Sequence, residues 1–394
     1  MSNEAVIVAT ARTPIGTARK GSLAETSAFD LATRTVAEVV RRSGLEPEVF
    51  DDVILGESLY GGGAIGRYAA IEAGLVNAPG LAHNRHCASG LATVQSAAAS
   101  IIAGMDTVVV AGGVQSASTK PRAAWKTPGT DDWDEDWLAP SHVETPDAPA
   151  RDMTICVGWN AADRAGISRE ELDAWALRSH QRAVAGIDSG AFEQEIFPIE
   201  VTKDGQRFTF AVDEHPRRGS TLEKLASLKP LHPEIDGFSI TAGNSAGVND
   251  AAGALVLTER SFAEGRGLEP LATVRAWASV GVEPANTGLA PIKAIPKVLD
   301  RAGLSIGDVD LWEINEAFAS VPIAACNALG IDDELVNVLG SGCSLGHPVA
   351  MTGSRMVMTL IHEQRRRGGG IAVAAMCAGG GMGTAVVLDV PAPA

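Results

Sequence analysis

Positive charge is in short supply in this sequence. Its 32 lysines and arginines stand against 48 aspartates and glutamates, a formal charge of −16 at pH 7. Phosphate backbones and anionic headgroups repel such a chain, so neither a nucleic-acid partner nor a membrane surface is expected. An anionic small ligand would need a local basic patch. Cysteine is sparse as well: five residues, an odd number without regular spacing. That speaks against a disulfide framework and for a reducing compartment. No CxxC pair or Cys/His cluster has zinc spacing, so no metal is expected. No apolar run reaches the ~20 residues of a membrane helix. Met1-Ser2-Asn3-Glu4 leads straight into a strand pattern and not a secretory leader. The expectation is a cytoplasmic protein. Aromatic residues make up only 5%.

Small and aliphatic residues fill that space: 43 glycines among 394 residues, and 45% hydrophobic. This composition suits an α/β protein with tight turns, and the length suggests two or three domains. Ala5-Val6-Ile7-Val8-Ala9 reads as a strand, residues 27–43 as an amphipathic helix, Asp51-Asp52-Val53-Ile54-Leu55-Gly56 as a strand, residues 60–66 as a glycine-rich loop and residues 65–73 as a helix. After Arg85-His86-Cys87-Ala88-Ser89-Gly90, apolar residues at Leu91, Val94, Ala98, Ile101 and Ile102 have helical spacing, with Gly104 as a stop. Thr107-Val108-Val109-Val110 is then a buried strand. Alternation of strands and helices predicts a mostly parallel sheet covered on both faces.

Residues 120–240 have a different texture. Trp125, Trp133 and Trp137 lie among five acidic residues with prolines nearby, which reads as loop. A helix over residues 168–187 follows, capped by Ser168, and then a basic turn from Arg217 to Lys224. Past Thr241 the opening pattern recurs. Residues 273–278 echo the first strand, residues 291–302 the first helix, and Asp310-Leu311-Trp312-Glu313 the strand at Asp52. Gly346-His347-Pro348 opens a helix as Cys87 does, and Ile371 to Met376 leads into Ala378-Gly379-Gly380-Gly381 as Val108 leads into Gly112-Gly113. Asp52 precedes Cys87 by 35 residues and Asp310 precedes His347 by 37. Two similar halves follow: residues 1–119 with 241–265, and residues 266–394, separated by a loop domain over 120–240.

Equivalent points in the halves carry reactive groups. A helix N-terminus favours an anion, so Cys87 would be disposed toward a thiolate; a cysteine there is otherwise a small buried hydrophobe. His347 occupies the matching position, or caps a helix. Cys377 ends the next strand, and Asn315 lies at another strand-to-helix junction; each is otherwise core or cap. A nucleophilic thiol, an imidazole, a second thiol and an amide are the parts for acyl transfer through a thioester.

Over nearly its whole length the sequence resembles the thiolases, the acetyl-CoA acetyltransferases and 3-ketoacyl-CoA thiolases. Cys87-Ala88-Ser89-Gly90, Thr241-Ala242-Gly243-Asn244, Asn315-Glu316-Ala317-Phe318, Gly346-His347-Pro348 and Cys377-Ala378-Gly379-Gly380-Gly381 carry the likeness. It implies a thiolase-like α/β fold: two βαβαβαββ halves about a pseudo-twofold axis, layered α/β/α/β/α. It implies that Cys87 is acylated after activation by His347, and that Cys377 is the acid/base at the α-carbon of acetyl-CoA. One oxyanion site would use His347 and a water held by Asn315, the other the N–H groups of Cys87 and Gly379. Coenzyme A and acyl-CoA would be substrates, contacted at Arg217, Ser245 and Ala246, with no resident cofactor. A homodimer or homotetramer is implied. Alternatives are a thiolase-like CoA- or acyl-binding protein without turnover, and another condensing enzyme of the same fold, although such ketosynthase-like enzymes carry a histidine where Cys377 stands. The chain departs from the family pattern at Ser245-Ala246, at Ala350 in place of glycine, in the extra thiol Cys343, around Met153 to Asn160, and at 125–137.

Overall fold

The computed structural model describes residues 3–58 and 64–393. Residues 60–63 of the expected glycine-rich loop lie outside the described residues. Fourteen strands form in chain order among those described. The first five are β1 (Ala5–Arg12), β2 (Gly16–Thr17), β3 (Asp52–Gly56), β4 (Gly80–His83) and β5 (Val108–Gln115). Two small hairpins follow, β6 (Trp125–Lys126) with β7 (Trp133–Asp134) and β8 (Ile199–Lys203) with β9 (Gln206–Phe210). The last five are β10 (Asn249–Glu259), β11 (Ala272–Gly281), β12 (Leu311–Ile314), β13 (Gly370–Ala378) and β14 (Met382–Val390).

The main sheet runs β12-β13-β14-β11-β1-β10-β5-β3-β4. It is two copies of one pattern joined where β1 meets β11 through Val6 and Ile7. In the first copy β3 lies parallel to β4 and β5; in the second β12 lies parallel to β13, with Val336 bridging Trp312 on the outer side. The register of β1 against β10 slips between Ile7 and Ala9, and that of β11 against β14 between Val274 and Ala276, the same point 267 residues on. The halves thus repeat down to a bulge.

The sheet is mixed, not mostly parallel as the alternation suggested. Pairs β5–β10, β10–β1, β13–β14 and β14–β11 are antiparallel. Antiparallel neighbours need no helical crossover, and β13 turns into β14 through residues 379–381 alone. In the first half the equivalent connection, β5 to β10, holds residues 116–248.

Side chains alternate across each half-sheet. Val109, Ala111 and Ile54 face inward with Leu255 and Leu257; Val108, Val110, Val53 and Leu55 face outward onto the helix Ala28–Ser43. Inward residues of both half-sheets, among them Ala374, Met376 and Val386, enclose two helices, Ser89–Ile102 and Thr352–Arg366. Trp312, Val373 and Val387 face outward onto Pro291–Ala302 and Ser320–Leu329. The order is α/β/α/β/α. The central helices are buried on nearly every side, and each fully buried Leu or Ile contributes ~2 kcal/mol. Their contact depends on glycine: a Cβ on Gly353 would stand 2.6 Å from Cβ of Leu91.

Within residues 116–248, the helix Arg169–Asp188 starts with a capping box of Ser168 and Glu171. The Trp-rich stretch read as loop forms the exposed β6–β7 hairpin, with Trp125 stacked on Trp137 at 4.8 Å. No helix among the described residues is long and apolar enough to cross a membrane.

Candidate active site

Cys87 lies two residues ahead of the helix Ser89–Ile102, in a turn closed by Ala88 N–H on the carbonyl of Arg85 and Ser89 N–H on that of His86. His86 holds a left-handed conformation, φ +45°, that directs the chain into this turn. The sulfur of Cys87 receives the N–H of Gly379, from the β13–β14 turn, and its own N–H. Burial nevertheless pushes the thiol above its ordinary value, and these two N–H groups only partly offset it. The expected thiolate is therefore corrected: desolvation outweighs the helix start, and the resting group is a thiol.

His347 lies five residues ahead of the helix Thr352–Arg366, not at its first turn. Pro348 opens a separate turn, its carbonyl accepting from Met351 N–H at 2.8 Å and Thr352 N–H at 3.0 Å. That offset brings the Thr352 hydroxyl to 2.7 Å from Nδ1 of His347. The hydroxyl has one proton and donates it to the Pro348 carbonyl at 3.1 Å. Nδ1 must then carry the imidazole proton and donate to Oγ1, leaving the lone pair on Nε2. Nε2 is buried with no hydrogen-bond partner among the described residues. Burial, and then the charge of Arg355, lower this histidine to about 4, so it is neutral near pH 7.

The helix starts meet through backbone. A Cβ on Gly90, three residues after Cys87, would stand 2.7 Å from the carbonyl oxygen of Ala350, three residues after His347. Cys377 comes from the end of β13, paired with Gly383 of β14. Burial raises it far above an ordinary thiol, and the nearby Cys87 and Cys156 raise it further. Asn315 follows β12, its N–H on the carbonyl of Ala375. Its side-chain oxygen and nitrogen are both buried and unpaired among the described residues. A buried amide without partners is free to bind a water or a substrate oxygen.

Residues far apart in sequence hold these groups. The carboxylate of Glu316 accepts from Trp175 Nε1 at 2.9 Å, Ser179 Oγ at 2.6 Å, Asn337 Nδ2 at 2.9 Å and the N–H of Cys343 at 3.1 Å. The helix Arg169–Asp188 thereby braces the loop leading to His347, which explains the polar residues on its buried face. Asp173 of the same helix accepts from Asn244 Nδ2 at 2.9 Å. The loop after Asn244 is stitched between the other two: Ala246 N–H bonds the carbonyl of Ala317, and Gly247 accepts from His347 N–H. Ser245 spends its hydroxyl on the carbonyl of Thr241 at 2.6 Å. His215 packs on Gly247, with Nε2 2.7 Å from where a Cβ would be, and His180 Nδ1 accepts from Arg217 N–H at 3.2 Å. Arg217 itself is exposed and forms no ion pair with a described residue.

Cys87, Cys377 and Gly379 thus meet at one place, with His347 and Asn315 on the loops packed beside them, while Arg217 stands apart on the rim. Sequence reasoning missed Thr352, whose helical spacing gave no sign of a role, and the partners of Glu316, which no local pattern reveals. It also missed His86 and Cys156. Among the described residues no group of three or more His, Cys, Asp or Glu is arranged to hold a metal.

The family model for the thiolase N-terminal domain matches residues 5–261, and that for the thiolase C-terminal domain residues 268–390. A 3-ketoacyl-CoA thiolase of Bacillus subtilis (strain 168) is 38% identical over 400 residues, covering 98% of this chain and 99% of that protein. An acetyl-CoA acetyltransferase of Escherichia coli (strain K12) is 38% identical over 405 residues, 98% of each. The crystal structure of human mitochondrial 3-ketoacyl-CoA thiolase in complex with CoA superposes with a TM-score of 0.89 at 35% identity, over 98% of each chain.

Proposed function

The chain belongs to the thiolase family and is an acyltransferase, and from that premise we propose how its residues divide the reaction. Nε2 of His347 takes the thiol proton of Cys87, whose sulfur attacks the 3-keto carbon of a 3-ketoacyl-CoA. The oxyanion formed there accepts the N–H groups of Cys87 and Gly379. The bond between C2 and C3 breaks, its electron pair passes to C2, and the Cys377 thiol protonates that carbon to release acetyl-CoA. The thioester oxygen of that departing enolate is met by His347 and by a water held on Asn315. The thiol of CoA, its proton passing to the Cys377 thiolate, then attacks the acyl-Cys87 thioester, giving the shortened acyl-CoA. Collapse of that adduct returns the imidazolium proton to the sulfur of Cys87. The reverse direction is the Claisen condensation. A buried Cys377 of raised pKa suits the carbon acid it must serve.

The observation that carries this reading is the N–H of Gly379 on the sulfur of Cys87, an oxyanion donor already aimed at the nucleophile. The test is thiolysis of acetoacetyl-CoA by CoA, followed as loss of enolate absorbance. Cys87→Ala should lower kcat by ~10⁴ or more; activity surviving that change would remove Cys87 from the nucleophile's role.

The same proposal extends to what surrounds the site. CoA would lie along the Ser245–Ala246 loop with its phosphates toward Arg217. Residues 1–119 with 241–265, 120–240 and 266–394 would act as two halves and a covering loop domain. The assembly would be a homodimer or homotetramer, and the location cytoplasmic.

A further inference from the structure

The residue before the nucleophile has a side chain that the reaction above does not use. His86 is half-buried, and its ring packs beside Gly379: a Cβ there would lie 3.8 Å from Cγ of His86 and 3.5 Å from Sδ of Met153. The backbone of His86 is fixed by its N–H on Asn84 Oδ1 at 3.0 Å and by Ser89 Oγ on its carbonyl at 2.7 Å. Neither ring nitrogen bonds a described residue. The charge of His142 acts on His86, and His142 is itself occupied by the carbonyl of Ala148 at 2.9 Å and by Ser141 Oγ at 2.9 Å. Ser141 in turn packs on Gly380, where a Cβ would meet its Oγ at 2.8 Å.

An acyl group on Cys87 with its oxygen on the N–H of Gly379 has its carbonyl carbon about 4 Å from that nitrogen. Its next carbons run against whatever packs on Gly379, namely Met153 and His86. Met153 offers an apolar wall. His86 offers a donor and an acceptor that an alkyl chain would strip of water and leave unpaired. We propose that His86 sets the substrate class of this thiolase: 3-ketoacyl-CoAs whose chain carries an oxygen beyond the 3-keto group, hydroxyl, carbonyl or carboxylate, that bonds the imidazole. The proposal rests on Cys87 being the acylated residue. Burial and His142 both keep His86 neutral, so it serves as donor and acceptor at once.

The experiment compares kcat/KM for thiolysis of three chain-matched substrates: 3-ketohexanoyl-CoA, 5-hydroxy-3-ketohexanoyl-CoA and 3-ketohexanedioyl-CoA. The protein as it stands should prefer at least one oxygenated substrate over the alkyl one by ~10-fold or more. The hydroxyl and carboxylate arms tell a neutral from an anionic group. His86→Leu should reverse the preference, and His86→Gln, which keeps a donor and an acceptor, should retain part of it. A preference for the alkyl chain, or a ratio unmoved by both substitutions, overturns the proposal. Should His86→Leu fold poorly, the wild-type ratio and His86→Gln decide. Failure to cleave any of the three would instead strike the reaction proposed above.

Discussion

The carbonyl oxygen of Ala350 lies 2.7 Å from the point a Cβ on Gly90 would occupy, and the N–H nitrogen of Ser354 lies 3.0 Å from it. Both are backbone atoms that cannot swing aside. Gly90→Ala must therefore separate the two segments that carry Cys87 and His347. A loss of ~1–3 kcal/mol of stability is expected, as for other overpacked sites. Thermal melts should show a lowered Tm, and thiolysis should fall further than the melt implies. Gly265→Ala, where a Cβ meets nothing within 4 Å, is the control and should leave both unchanged.

Thr352 reads the protonation of His347. Thr352→Ala removes the acceptor for Nδ1–H, so the imidazole can adopt the other tautomer and turn its lone pair from the site. We expect kcat to drop ~10–100-fold with KM nearly constant, within the range of general-base contributions. Thr352→Ser should restore most of it. Equal loss in the Ser and Ala variants would show that the methyl group, through packing, is what matters.

The resting state of Cys87, the nucleophile proposed above, is open to direct chemistry. A half-buried thiol held above its ordinary pKa beside a neutral histidine is not an ion pair. Alkylation of Cys87 by iodoacetamide should rise steadily with pH and continue to rise past pH 8. A rate already on its plateau at pH 7 would mean a thiolate–imidazolium pair.

Four histidines, the buried His180, His347 and His362 and the half-buried His215, are lowered to about 4, each mainly by desolvation. The unfolded chain takes up protons near pH 6.5 and the folded chain only near 4, so stability falls as pH drops through that window. Each histidine contributes a slope of ~1.4 kcal/mol per pH unit there. Glu313, raised by burial against the pull of Arg355, acts with the opposite sign, as do Glu195, Asp52 and Asp250, also raised by burial, while His83 and His86, lowered by burial, add to the histidine side. Melts between pH 6.5 and 4.5 should steepen accordingly. His362→Gln, which removes one histidine from its bonds to Thr10 and Gln194, should flatten the dependence by up to ~1.4 kcal/mol per pH unit.

Much of this was legible in the chain. The echo of residues 5–9 in 273–278 marks a repeat that the structure carries into matching bulges, because strand identity follows from local apolar runs. The long excursion was legible through its prolines and acidic tryptophans. Strand direction was not: an antiparallel pair and a parallel pair share the same apolar pattern. The state of Cys87 was misread because a helix start is visible in sequence and the depth of burial is not. The bonds to Glu316 from Trp175 and Ser179 depend on contacts across 141 and 137 residues, which no local spacing encodes, and Thr352 reaches His347 only through the separate turn at Pro348, which the helical pattern hides.

The β13–β14 turn is short for a reason that lies in the other half. Its pseudo-symmetric counterpart grew into residues 116–248, and that segment comes back to lie on it, with Ser141 where a Cβ of Gly380 would go. Only one of the two loops can occupy the space over the paired helix starts. A duplicated scaffold of this kind is obliged to break its own symmetry at the turn, and the half that stayed small is the half that keeps bare backbone, Gly379, beside the sulfur of Cys87.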